Sequence, residues 1–189
     1  YCSLAQRYLS LPNVSVDVVD IEPLLVDIGK QFFRVPENPR VTSFIEDGRR
    51  FLHDTETQYD FIFADAYVSS VPAHLATKEF FELAKEKLSP NGIFVANIIG
   101  DLLQKKSSFV FAEMKTWESV FSNSYFFAVE SPFEDYSQNL IFVGSKNGKK
   151  IDLDELAFLN SQDAFIRELG DHRIDLSHFD LSEYEIFTD

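Results

Sequence analysis

Three short apolar runs, each closed by an acidic residue, constrain this chain more than any other feature. They are Val16-Asp17-Val18-Val19-Asp20, Val41-Thr42-Ser43-Phe44-Ile45-Glu46-Asp47-Gly48 and Phe61-Ile62-Phe63-Ala64-Asp65. Runs rich in β-branched and aromatic residues, separated by segments with helical spacing, describe parallel strands of an α/β sheet. In such sheets ligands sit beyond the carboxyl ends of the strands. The sequence therefore predicts Asp20, Asp47 and Asp65 on one rim. Three carboxylates there suit a ligand rich in hydroxyl and amino donors, such as a nucleoside.

Length and composition set the bounds of that sheet. With 189 residues, 45% of them hydrophobic, the chain can bury one good core and is expected to form one domain. Residues 1–150 are assigned to the α/β domain, and residues 151–189 to an acidic helical extension of it. Eleven Asp and Glu in the extension stand against Arg167 and Arg173, the pattern of a solvated helical face. The formal net charge of −14 comes without clustered Lys and Arg, since Lys105-Lys106 and Lys149-Lys150 are isolated pairs. Nucleic acid is therefore not expected as a partner. Membrane is not expected either, because no apolar run approaches the ~18 residues of a span. A cationic small molecule fits the acidic surface better. The single Cys2 offers no internal disulfide and suits a reducing, cytoplasmic setting. His53, His172 and His178 lack partners at metal-ligand spacing, so no metal is expected. Ser69 and Ser70 lack a His–Asp constellation, which disfavours a hydrolase. A homodimer is compatible with the sequence.

Along the chain, residues 1–11 carry the spacing of a helix and residues 14–20 that of a strand. Pro23 sits at a first helical position, followed by the stripe Leu24, Leu25, Ile28 and Phe32. Residues 40–46 form the next strand, and a short amphipathic turn over 49–53 turns Phe51 and Leu52 inward. Residues 59–65 are the most apolar of these strands, which predicts a central position. Thr77 is a candidate N-cap, with Phe80, Phe81, Ala84 and Leu88 facing the sheet. Ser89-Pro90-Asn91-Gly92 predicts a turn before a strand over 93–98. Val110, Met114, Trp117 and Phe121 space a further helix. Strands over 125–129 and 139–144 follow with too short a link for a crossover, so this pair is expected to be antiparallel. Residues 152–170 are expected to form two short helices, the second capped by Ser161 and ended by Gly170.

This order resembles the doubly wound, mostly parallel, Rossmann-like sheet of S-adenosylmethionine-dependent methyltransferases, closed by an antiparallel hairpin. Such sheets begin with a strand and a glycine-rich turn. Residue 1 is Tyr and the only Met is Met114, so an upstream strand and turn are expected before the present start.

The residues themselves resemble the polyamine aminopropyltransferase (spermidine synthase) family in order and spacing. The likeness runs through Val18-Val19-Asp20-Ile21-Glu22-Pro23, Ile45-Glu46-Asp47-Gly48-Arg49-Arg50-Phe51-Leu52 and Tyr59-Asp60-Phe61-Ile62-Phe63-Ala64-Asp65. It continues through Thr77-Lys78-Glu79-Phe80-Phe81, Leu88-Ser89-Pro90-Asn91-Gly92-Ile93-Phe94-Val95-Ala96-Asn97 and Gln138-Asn139-Leu140-Ile141-Phe142-Val143.

The resemblance implies a donor, decarboxylated S-adenosylmethionine or S-adenosylmethionine itself, used as co-substrate without a metal. It implies Asp20 at the ribose hydroxyls, where one carboxylate accepts from a vicinal diol. The family has Glu-x-Asp where this chain has Asp20-Ile21-Glu22, so Glu22 is a donor-binding candidate and also the natural helix cap. Asp47 is implied at the adenine amino group, with Gly48 letting the backbone approach the ring. Asp65 is implied as the catalytic carboxylate that helps deprotonate an attacking amine, and as part of the donor site. Tyr67 and His74, on the loop above, are the acceptor-binding candidates. Asp60 lies at the other end of its strand and is expected to be structural.

One departure stands out. The family carries a second Asp three residues after the catalytic one, and this chain has Val68. That points to a divergent, spermidine-synthase-like branch. Without another acid in its place, the loss weakens putrescine by about 2–5 kcal/mol. Aminopropyl transfer to an amine is the leading expectation. Methyl transfer from S-adenosylmethionine to an amine or other nucleophile is the rival, and a non-catalytic domain kept for partner binding is the third reading.

Overall fold

The computed structural model describes residues 11–32, 38–66, 73–104, 108–148, 150, 152 and 160–189. The chain divides into two compact units, Tyr1–Thr55 and Glu56–Asp189. The predicted helix over residues 1–11 lies almost wholly outside the described residues, as does the first helix predicted after residue 152.

In the first unit, β1 (Val16–Asp20) pairs in parallel with β2 (Val41–Ile45), in register from Val16 opposite Val41 to Asp20 opposite Ile45. Parallel pairing needs a crossover, supplied in part by α1 (Leu24–Phe32). The amide of Leu24 donates to Glu22 Oε1 at 3.1 Å, so Glu22 does act as the cap. The predicted stripe is present on α1, yet Leu24, Leu25, Ile28 and Phe32 are all exposed. After β2, α2 (Gly48–Asp54) is capped by Asp47 and buries Phe51 and Leu52 as expected. Phe51 lies 4.7 Å from Phe44, ring centre to ring centre, which seats the helix on β2.

The second unit holds a four-stranded sheet of order β3-β4-β6-β5. β3 (Tyr59–Ala64) runs parallel to β4 (Leu88–Gly100), joined through a 3-10 turn (Ala73–Leu75) and α3 (Lys78–Lys87). α4 (Phe109–Val120) leads to β5 (Ser124–Ala128). β6 (Gln138–Ser145) then inserts antiparallel between β4 and β5, closing the sheet with the expected hairpin.

β3 is the first strand of the described four-stranded sheet, with Phe61 40% exposed. One expectation is corrected here. The segment over residues 89–92 is part of β4, which starts at Leu88; the irregularity expected as a turn appears as a register shift opposite Tyr59 and Phe61.

The core of this unit is aromatic. Trp117 stacks on Phe94 at 4.9 Å and meets Phe81, Phe121 and Phe142 within 6 Å, all nearly or fully buried. Gly144 on β6 makes this possible, because a Cβ there would stand 2.5 Å from the Phe121 ring. Burying each such ring contributes roughly 1.5–3 kcal/mol. α3 starts as predicted, with Thr77 Oγ1 accepting from the Phe80 amide and Phe80, Phe81 and Ala84 turned inward.

Described residues of the C-terminal tail form α5 (Ala164–Arg167) and a 3-10 turn (Leu176–His178), joined by turns and irregular segments. Ile174 and Tyr184 are buried, and Tyr184 stacks on Phe111 of α4. The Lys78 amide donates to Phe187 O, and Thr77 Oγ1 donates to Asp189 Oδ1.

Candidate functional site

Each of the three predicted acids follows or ends a strand on its carboxyl side, because the apolar run stops where the chain leaves the sheet. Asp20 is the last residue of β1, half-buried, and its Oδ1 accepts the Glu22 amide at 2.9 Å. One such bond leaves a carboxylate with acceptor capacity for hydroxyl donors. Asp47 lies two residues beyond β2, at the same end of the parallel pair as Asp20. Its Oδ1 accepts the Arg50 amide at 3.0 Å, so it serves as the N-cap of α2. A Cβ on Gly48 would meet nothing within 4 Å, which leaves open space beside the start of the helix.

Asp20 and Asp47 thus put two carboxylates at one end of a parallel pair, and Gly48, the first residue of α2, has open space beside it. Such a set suits a ligand that offers hydroxyl and amino donors.

In the second unit Asp65 directly follows β3 and is exposed. Asn97 on β4 donates from Nδ2 to Asp65 Oδ1 at 2.9 Å, which fixes the carboxylate at the strand end. The pairing follows from register, since Ala64 lies opposite Ala96 and the next residues of both strands are neighbours. His74 lies in the 3-10 turn and is exposed. Tyr67 and Val68 lie outside the described residues. Asp60, at the far end of β3, accepts from Ser89 Oγ at 2.7 Å.

Sequence reasoning missed Glu113. It sits on α4, 1% exposed, and burial pushes its carboxyl up to about 8. Its Oε2 has no hydrogen-bond partner, and neither has the buried Oδ1 of Asn97. Both residues line a small cavity at the carboxyl end of β3 and β4. A signal was present: Glu113 falls between Val110 and Trp117 at helical spacing, an acid on the apolar stripe.

No helix among the described residues is long and apolar enough to cross a membrane. The strand order, the crossover helices and the closing hairpin define the fold of class I methyltransferases and spermidine synthases. A probable spermidine synthase from Corynebacterium glutamicum superposes with a TM-score of 0.74 at 19% identity, over 100% of this chain and 68% of that one. Human methyltransferase-like protein 13, solved with SAH, gives 0.57 at 21% identity over 70% and 61%.

Residues 6–155 match the family model described as the spermine/spermidine synthase domain, and the chain belongs to that family. It is 30% identical over 131 residues to the polyamine aminopropyltransferase of Vibrio vulnificus, covering 67% of this chain and 41% of that protein. It is 26% identical over 180 residues to the N-terminal histidine N-methyltransferase of Emericella nidulans, covering 89% of this chain and 31% of that protein. The chain thus spans well under half of these relatives.

Proposed function

We propose that this chain belongs to a transferase that moves an aminopropyl group from decarboxylated S-adenosylmethionine to an amine. Membership of the spermine/spermidine synthase family over residues 6–155 is the observation that carries the reading. Residues 1–150 serve as the donor-binding α/β domain, with 151–189 as its extension. Asp20 and Asp47 hold the nucleoside through its hydroxyl and amino donors, with Glu22 beside Asp20 and Gly48 leaving space for the ring. The donor supplies a carbon bound to a sulfonium: the amine lone pair forms the N–C bond as the C–S pair leaves on sulfur. Asp65 attracts the amine and takes the proton that nitrogen sheds. Asn97 keeps that carboxylate in one orientation, which reduces the ordering needed at reaction. Tyr67 and His74 are proposed to line the acceptor side.

Incubating the full protein with each donor and a panel of amines, then reading product masses, tests this. A gain of an aminopropyl unit supports it. A gain of a methyl unit from S-adenosylmethionine points instead to methyl transfer, the second reading, which the long alignment with the Emericella nidulans histidine N-methyltransferase favours. No product with any amine leaves partner binding as the remaining role.

A further inference from the structure

A buried carboxyl without a partner is costly, because desolvation of the group is not repaid by a hydrogen bond. Glu113 is such a group, and the cavity in front of it explains what the fold gains. The elements packed against it offer it almost nothing polar. β3 presents Ala64, the 3-10 turn Leu75, α3 Phe80 and Phe81, and β4 Phe94 and Ile98. The exception is Asn97. Burial alone displaces the Glu113 pKa, with no neighbouring charge contributing. Asn97 itself donates from Nδ2 to Asp65, the acid just beyond the outer side of the cavity.

The cavity has room for about one water-sized group. Its two unpartnered polar atoms, Glu113 Oε2 and Asn97 Oδ1, are both acceptors once the carboxyl ionises. The complementary occupant is compact and rich in N–H donors. Exposed Ala66 and half-buried Asn97 form its outer side, next to Asp65.

We infer that Glu113 and Asn97 form a buried subsite for an ammonium group of the acceptor, and that filling it expels a proton from Glu113 to solvent. This rests on the proposed transfer to an amine and deepens it. Glu113 then supplies the acid that the motif lacks at Val68. The proton balance is simple: the neutral carboxyl and an alkylammonium become a carboxylate–ammonium pair, and one proton leaves to bulk water. A water in the same place would satisfy the acceptors without ionising Glu113. Proton release therefore separates the two occupants.

Calorimetric titration of the full protein with 1,4-diaminobutane, in buffers of different ionisation enthalpy, reads that proton without any substitution. The expected result is release of a proton near pH 7. Below pH 8, binding should tighten by up to about tenfold for each pH unit gained. In Glu113→Gln the release should vanish and affinity should fall at least about tenfold, with methylthioadenosine binding unchanged. 1-Aminobutane, offering a single ammonium, should lose the difference between the two proteins when that nitrogen is the reacting one. Absence of diamine binding, binding without proton release, or equal affinity in Glu113→Gln overturns the subsite. The product masses from the two donors judge the transfer reading separately, so the two failures are distinguishable.

Discussion

A carboxyl whose pKa rises from 4.5 to about 8 on folding binds a proton that the unfolded chain gives up some units earlier. Between those values the native state holds more protons than the unfolded state, so stability falls as pH rises. The contribution of Glu113 is fully present below about pH 4.5 and lost by about pH 8. It amounts to as much as about 4–5 kcal/mol over that window. Urea unfolding at pH 5, 6.5 and 8 should show the decline, and Glu113→Gln should flatten it; an equal slope in the variant would assign the decline to other groups. Asp20 offers a second test. Asp20→Ala in the intact protein should weaken methylthioadenosine by about 1.5–3 kcal/mol, or roughly 10- to 150-fold, as read by calorimetry. Unchanged affinity would leave Asp20 only its turn with Glu22. The strand-end acids were legible because their position relative to an apolar run is a property of one dimension. Asn97 and Glu113 were not, because their meaning comes from register and helix packing across separate elements.

At the scale of elements, the start of α3 joins local and distant structure. Thr77 Oγ1 accepts the Phe80 amide at 3.3 Å and donates to Asp189 Oδ1 at 3.0 Å, at a site only 6% exposed. Thr77→Ala removes both and should cost about 1–2 kcal/mol. Thr77→Ser should recover most of it, and thermal unfolding of the pair distinguishes loss of the hydroxyl from loss of the methyl. The cap itself was plain from Thr77 and Glu79 preceding an apolar stripe, as were the antiparallel β5 and β6 from their short connection. The early start of β4 was hidden, because Ser89-Pro90-Asn91-Gly92 carries local turn signals while pairing with β3 is decided by a strand elsewhere in the chain.

At the scale of the molecule, the described structure consists of two units with cores of different kinds, a small one around Phe44 and Phe51 and a large aromatic one around Trp117. The acidic tail belongs to the second, where Tyr184 and Ile174 are buried. Trp117 is the only tryptophan of the chain and is fully buried in that second core. Intrinsic fluorescence excited at the indole is therefore a local reporter of Glu56–Asp189, while far-ultraviolet dichroism averages over every helix and strand. If the two units unfold as one, the two optical signals share a midpoint; if the smaller unit melts first, dichroism should change while emission stays put. A chain with one indole so placed carries its own built-in spectroscopic label, and needs no engineered dye to tell which half has come apart.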